Sequence, residues 1–515
     1  MNTRKGIFIL ASVLAAAWLL RLFDNGIEVG WPSIVLNNWH EFGLFKLHGA
    51  LVINHGGFEA TTHPVIYYGM SPWYLYPVYI CNELFQWTGL GTLPYHIVLA
   101  ALVLWSIWNL LGKNNLALMV AVLVIVSPGY GRWQKLLDPN ALSVLLGLPY
   151  AAVVTSLLKE PRLRPSHQII LFILTAMFVP LNWSTAWFLA PFGVFLLLNP
   201  EVRWRPAVVY LTLTAIGAMV FVGFSMVAKH AGAVPDASTI AVSAKATPGR
   251  FLGGYTWGNY GYYEGLSSFR FFFRLFMVNI IGLLPLILWW GFATVAGIRN
   301  SCKQGIISLM PALTALLAPI AMRNYFCHHP WMGAPVVIAG LVLSMALLPK
   351  DESMRQTFAN LKWPATAAAI AFAYGFIVIA GFRANSKESM SLIELVRSHV
   401  PRNDTIVVVR TLDPGTATLT SSLGETLGEV LDRQMMTAET MNAAPKDVPA
   451  MILSSHPTDA LPLVAEADAT STGGIMTKAV TWFGKNIARR KADDKIEYQS
   501  HYYLYRLSPD TPAHD

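Results

Sequence analysis

Cysteine is scarce. The 515 residues contain three, Cys81, Cys302 and Cys327, and no two of them form a C-x-x-C pair. That excludes a disulfide scaffold and the common zinc modules, which need several thiols at short fixed spacings. Charge is scarce too: Asp, Glu, Lys and Arg make up 13% of the chain, against roughly a quarter in a soluble domain. A disordered chain and an ordinary water-soluble enzyme are therefore excluded. Hydrophobic residues fill the space, at 54% of the chain with a mean hydropathy of +0.46. Apolar runs of about 20 residues, the length that crosses a hydrocarbon core, recur along most of it. The sequence is that of a multi-pass membrane protein. Its net charge of +8, from 37 basic and 29 acidic residues, then reads as loop charge that fixes orientation rather than as a nucleic-acid surface.

Eleven spans are predicted, at 6–23, 93–112, 115–131, 141–158, 167–181, 184–199, 206–228, 272–297, 305–322, 332–348 and 364–382. The opening Arg4-Lys5 and apolar stretch, closed by Arg21 with no clear small-residue cleavage site, reads as a retained first span rather than a signal peptide. With a cytoplasmic N-terminus, the connections on that side carry Lys113, Lys159, Arg162, Arg164, Arg203, Arg205, Arg299, Lys303, Lys350, Arg355 and Lys362, as the positive-inside rule requires. Connections 24–92, 132–140, 229–271 and 323–331 then lie outside, as does the C-terminal tail. From about Lys387 the composition turns polar and mixed, with strand-like runs at 405–410, 450–454 and 501–507 between helix-compatible segments 388–399 and 422–434. The expected architecture is an all-α polytopic membrane domain, 1–383, in the cytoplasmic membrane, followed by a soluble periplasmic α/β domain, 384–515.

The first outer loop, 24–92, is far longer than a connector needs. It is rich in aromatics (Trp39, Phe42, Phe45, Tyr67, Tyr68, Trp73, Tyr74, Tyr76), and its stretches 42–53 and 72–86 read as helices at the membrane surface. Along it stand Trp39-His40-Glu41-Phe42-Gly43, then Asn54-His55-Gly56-Gly57, then Tyr67-Tyr68-Gly69-Met70-Ser71-Pro72-Trp73-Tyr74-Leu75. Two spans later come Ser127-Pro128 and Arg132-Trp133-Gln134-Lys135-Leu136-Leu137-Asp138-Pro139. This succession resembles the polytopic GT-C glycosyltransferases that take sugars from polyprenyl phosphates. The nearest general pattern is that of the protein O-mannosyltransferase and lipid A aminoarabinose-transferase group. The resemblance runs in order over residues 1–200 and, more loosely, over the topology of the whole chain.

The resemblance implies an inverting transfer of one glycosyl unit from a polyprenyl-phosphate donor to an envelope glycan, lipid or protein acceptor on the periplasmic face; no cofactor is expected, with a divalent cation, which some members of this broad fold use, as the alternative. It implies Glu41 as the base, with His40 where the family usually has the Asp of an Asp-Glu pair; Asp24 and Glu28 compete for that role. Asp138 matches the family's second acidic residue, and an Asp-Pro helix cap is the other reading of it.

Such a transfer needs a base for the acceptor hydroxyl and cations for the departing phosphate. Outer-side cations run against the orientation rule and so call for a role: Arg132, Lys135, Lys229, Lys245, Arg250, Arg270, Arg274 and Arg323. Arginine grips two phosphate oxygens at once. Arg323, with His328 and His329 in a tight outer loop, is the preferred phosphate ligand. Arg270 and Arg274 share a helical face by their i, i+4 spacing, and both phosphate binding and snorkelling to lipid headgroups are open for them. Tyr255 and Trp257, in the glycine- and aromatic-rich run 253–264, suit a lid over a sugar or an interfacial belt. His40, His48, His55 and His63 form no i, i+4 pair, and no metal site is expected.

Two other classes compete. An envelope polysaccharide polymerase or ligase would carry its large outer loop late in the chain. A secondary transporter or flippase would show related halves and mid-span charge, and neither is present. In the C-terminal domain, Asp413-Pro414-Gly415 reads as a turn and His456 as a loop residue, with no catalytic set.

Overall fold

The computed structural model describes residues 8–9, 11–12, 15, 31–57, 72–85, 92–133, 139–160, 163–182, 184–203, 206, 208–217, 268–321, 326, 333–348, 366, 369–371, 373–375, 387–413, 432–440, 449–459, 461–470 and 499–507. The chain forms two compact units: Met1–Asn25 with Tyr68–Gly375, and Gly26–Tyr67 with Phe376–Asp515. Most of the first outer loop thus belongs with the C-terminal part of the chain.

The first unit is built of helices. Four are long and apolar enough to cross a membrane, Leu93–Leu110, Asn140–Leu158, Asn279–Asn300 and Cys302–Ile320, and five shorter apolar helices accompany them: Asn115–Val126, Pro165–Phe178, Thr185–Leu198, Val208–Gly217 and Gly333–Ala346. The eleven spans expected from the sequence thus become four full-length and five short apolar helices among the described residues. Segments 6–23 and 364–382 lie mostly outside those residues.

The surfaces of these helices identify their solvent. Leu313, Leu316, Leu317 and Ile320 recur at i, i+3, i+4 and i+7, and all are exposed; so are Ile169, Phe172, Ile173 and Met177. A continuous stripe of large apolar side chains is costly in water and is the ordinary surface of a helix in lipid. Asn115–Val126 is the reverse case, with every residue from Leu116 to Val126 buried. It ends where Pro128 cannot donate to the ladder; Ser127 Oγ donates to the Val124 carbonyl and accepts the Tyr130 N–H that opens the next short helix, Pro128–Trp133. The chain is a multi-pass membrane protein.

Small residues let the helices approach closely, because lipid supplies no hydrophobic drive between them and van der Waals contact must hold them together. A side chain at Gly147 would meet the Phe188 ring at 2.4 Å, one at Gly340 would meet Ala315 Cβ at 2.4 Å, and Gly129 and Gly282 bring backbone against backbone. Where the chain breaks between Val179–Leu181 and Thr185–Leu198, polar side chains tie the break to itself and to the neighbouring helix. Asn182 Nδ2 donates to Asn140 Oδ1 at 2.8 Å, Thr185 Oγ1 donates to the Asn182 carbonyl at 2.6 Å, and Ser143 and Ser184 hydroxyls meet at 2.7 Å, all buried. Asn182→Leu should lower the unfolding temperature measured in detergent, since it removes the buried hydrogen bond to Asn140 Oδ1, at about 0.5–1.5 kcal/mol.

The second unit holds a five-stranded sheet of β1 (Thr405–Val409), β2 (Met435–Ala438), β3 (Ala450–Ser454), β4 (Leu463–Thr470) and β5 (Gln499–Leu507), in the order β2-β1-β3-β5-β4. β1 runs parallel to both β2 and β3, while β5 is antiparallel to β3 and β4. All residues of β1 and β3 are buried, as expected of inner parallel strands covered on both faces. Helix Lys387–His399 lays Leu392, Ile393, Leu395 and Val396 on one face, against Ile406, Val408, Met451, Leu453 and Leu504. Val407, Val409, Ile452 and Tyr505 form the core of the other. The expected strands at 405–410, 450–454 and 501–507 are all present. The segment 422–434, read as helical, is non-helical at 432–434, where it leads into β2; the rest lies outside the described residues.

Candidate functional site

Within the second unit, the first-loop segment is anchored by buried polar side chains. Helix Trp31–Phe42 buries Ile34, Val35, Leu36, Asn38 and Trp39. After Gly43 the chain turns back along it: Trp39 Nε1 donates to the Ala50 carbonyl at 2.7 Å, and Asn38 Nδ2 donates to the carbonyls of Val52 and Asn54. The stretch 42–53, expected as an interfacial helix, is instead this return, with turns over 43–49 and positive φ at Gly43, His48 and Gly49. Two glycines and a turn-compatible His in seven residues break the helical period that its apolar content suggested.

The return brings Glu41 and the Asn54-His55-Gly56-Gly57 motif to a buried charge cluster. Arg402, between helix Lys387–His399 and β1, uses its whole guanidinium fork: Nε to Asp432 Oδ2 at 2.7 Å, Nη2 to Asn38 Oδ1 at 2.7 Å, and Nη1 in an ion pair with Glu41 Oε2. Asp432, whose side chain is only 3% exposed, also accepts the Gly56 N–H at 2.8 Å and Asn37 Nδ2 at 3.1 Å. Gly56 has φ +66°, and a Cβ there would lie 2.7 Å from the Arg402 carbonyl oxygen. The position requires glycine twice, for its left-handed backbone and for the approach of another chain segment. Arg433 adjoins the cluster and donates from Nε to the Val400 carbonyl at 2.9 Å. Burial pushes the nearby Asp404 carboxyl above its ordinary range, and Arg506 and Arg433 oppose the shift.

Glu41, the base that the resemblance implies, is paired with Arg402 and is one of the anchors of the first loop on it. His40 is exposed on the last turn of the same helix. Arg132 lies in the short helix Pro128–Trp133, and Arg270 and Arg274 lie in the first turns of the long helix Ser268–Asn300. Lys135, Asp138, Tyr255, Trp257, Arg323, His328 and His329 fall outside the described residues. Asp138 directly precedes Pro139, the first residue of helix Pro139–Leu158, two positions before the buried Asn140. Sequence reasoning missed Arg402 and Asp432, which are 364 or more residues from their partners Asn38, Asn37 and Gly56.

Asp413, Ser455 and His456 do meet. Asp413, 1% exposed, accepts the Ser455 N–H, and it accepts the Ser455 hydroxyl at 2.6 Å, while His456 Nδ1 lies 3.0 Å from that hydroxyl and 3.7 Å from Asp413. A proton relay needs the imidazole between acid and hydroxyl, with one ring nitrogen on each. Here one nitrogen faces both and the acid binds the hydroxyl directly, so the group ties the loops after β1 and β3. Among the described residues, no three His, Cys, Asp or Glu side chains gather to hold a metal ion.

No protein-family model and no curated protein matches the sequence. Among solved structures, ArnT from Cupriavidus metallidurans in the apo state is similar in fold, with a TM-score of 0.52 and 14% identity over 90% of this chain and 97% of that one. The likeness is one of fold, over almost the whole of both chains. The helical part and the C-terminal α/β part that the sequence leads one to expect are both present. An oligosaccharyltransferase from Archaeoglobus fulgidus, solved in complex with zinc and sulfate, aligns at a TM-score of 0.47 and 13% identity, over 87% of this chain and 67% of that one.

Proposed function

We propose that the chain is a GT-C glycosyltransferase that moves one sugar from a polyprenyl-phosphate donor to an acceptor hydroxyl or amine of the cell envelope, on the periplasmic face of the cytoplasmic membrane. The observation that carries this reading is the end-to-end likeness of fold to ArnT, which spans 90% of this chain and 97% of that one. The chemistry is a single displacement. The acceptor atom attacks the anomeric carbon while the bond to the donor phosphate oxygen breaks, the configuration inverts, the acceptor proton passes to a carboxylate, and polyprenyl phosphate leaves.

A base must have a carboxylate oxygen within hydrogen-bond reach of the acceptor. Glu41 is engaged with Arg402, so we assign it to support. The base role goes to Asp24, the first acid after the first predicted span and hence the nearest in sequence to the bilayer edge where a lipid-bound phosphate lies. Asp138 serves as the second carboxylate, orienting the acceptor. Arg323, with His328 and His329, and Arg132, Lys135, Arg270 and Arg274 are the cations that meet the phosphate. Tyr255 and Trp257 stack on the sugar. None of these steps needs a metal, and EDTA is expected to leave turnover unchanged.

The test is incubation of the full chain in lipid nanodiscs with undecaprenyl-phosphate sugars and an envelope extract. Donor loss, release of undecaprenyl phosphate and addition of a single sugar of inverted configuration are expected. Addition of many units would identify a polymerase, and a full panel of lipid-linked sugars left unconsumed would end the glycosyltransferase reading. A reporter fused at the C-terminus should report the periplasmic side; a cytoplasmic readout would overturn the outer-loop assignments.

A further inference from the structure

We infer that Arg402 and Asp432 are positioning residues: they clasp the first-loop segment onto the C-terminal domain, and this clasp is the domain's contribution to transfer. Four groups of the first loop converge on these two side chains, and a fifth meets the backbone of one of them. Asn38 Oδ1 and Glu41 Oε2 take hydrogens from Arg402, while the Gly56 N–H and Asn37 Nδ2 give hydrogens to Asp432; the Gly56 Cα then packs against the Arg402 backbone. The two holders bind each other through Nε and Oδ2. Asp432 therefore fixes both ends of the loop segment, at Asn37 and at Gly56, while the Arg402 side chain fixes the helix end at Asn38 and Glu41 and holds Asp432 in place.

Burial makes the arrangement selective. Asp432 at 3% and Arg402 at 21% side-chain exposure are poorly hydrated, so either one left alone carries a charge that water cannot fully compensate. Loss of one holder removes the charge that the other is paired with and so weakens its hold as well. The clasp sits at the N-terminal ends of β1 and β2, where the Ile406 N–H also meets the Gln434 carbonyl at 2.8 Å. The opposite ends of the parallel strands, with Asp413 and Ser455, take no part in it. Lysine cannot replace Arg402, because a point charge cannot serve three acceptors lying along a planar fork.

The effect on transfer rests on the function proposed above, so the test has one arm that does not. The full chain is compared as wild type, Arg402→Ala, Arg402→Lys and Asp432→Asn, with His501→Ala, on the same sheet, as control. Amide hydrogen exchange over residues 31–57 should accelerate at least about tenfold in the Arg402→Ala and Asp432→Asn variants and less in Arg402→Lys, while Leu93–Leu110 and β1 keep their protection. With an undecaprenyl-phosphate sugar, kcat should fall in the same order and the donor KM should hold, because position rather than donor contact is lost. Unchanged exchange over 31–57 in both variants would refute the clasp. Accelerated exchange with wild-type kcat would refute its role in transfer and leave the enzyme class standing. A wild-type chain that consumes no donor would sink the proposed function, and the exchange arm would still decide the clasp.

Discussion

Asparagine in place of Asp24 should slow transfer by about 10²–10⁴-fold, the range for losing a general base, while glutamine in place of Glu41 should cost less than about tenfold. Asn is nearly isosteric with Asp but cannot take a proton, so the fold and donor binding are retained and the single-turnover rate falls alone. Glu41 is one of three acceptors on Arg402 and is partly exposed, with a side-chain exposure of 34%. Its amide still accepts a hydrogen bond, and a half-exposed ion pair is worth only about 1 kcal/mol. The decisive measurement is single-turnover consumption of a polyprenyl-phosphate sugar by both variants in nanodiscs. If Glu41→Gln collapses as far as Asp24→Asn, with exchange over 31–57 intact, the base belongs to Glu41 and our assignment of the two acids is reversed.

Gly147→Ala is the stability prediction with the largest effect. An added Cβ would stand 2.4, 2.5 and 2.6 Å from three carbons of the Phe188 ring. That ring is fully buried and cannot swing aside, because Phe178 lies edge-on at 5.8 Å and Phe192 stacks at 5.6 Å. Relief requires Pro139–Leu158 and Thr185–Leu198 to separate, at about 1–3 kcal/mol or more for overpacking. Thermal unfolding in detergent should show a clear drop in Tm. Phe188→Leu, destabilising alone, should rescue Gly147→Ala in part, with a favourable coupling of about 0.5–3 kcal/mol. A Gly147→Ala chain that melts with the wild type would show that the two helices do not approach this closely.

Much of this architecture is legible in composition. The long apolar helices and β1, β3 and β5 are runs whose burial needs no knowledge of their partners, and Lys387–His399 announces itself by a periodic apolar face. β2 and β4 are less visible because they are the sheet's two edges. Ala465-Glu466-Ala467-Asp468 alternates small and acidic residues along β4, as a strand with one wet face does. Helix Trp31–Phe42 is hidden by its adjacent asparagines, poor helix formers whose value lies in contacts made far away in sequence. The clasp shows the limit most plainly. Gly56-Gly57 signals an unusual backbone, but the reason, a carbonyl of Arg402, is more than three hundred positions away and leaves no local pattern.

The interior helix Asn115–Val126 has a consequence for biogenesis. Twelve residues at 1.5 Å each reach about 18 Å, well short of a hydrocarbon core of about 30 Å, yet its composition is oily enough to partition into lipid as it leaves the ribosome. In the finished molecule every residue from Leu116 to Val126 is buried. Neighbouring segments synthesised later must therefore close around it and displace the acyl chains that first solvated it. Until that enclosure is complete, it depends on bilayer thinning or on provisional partners.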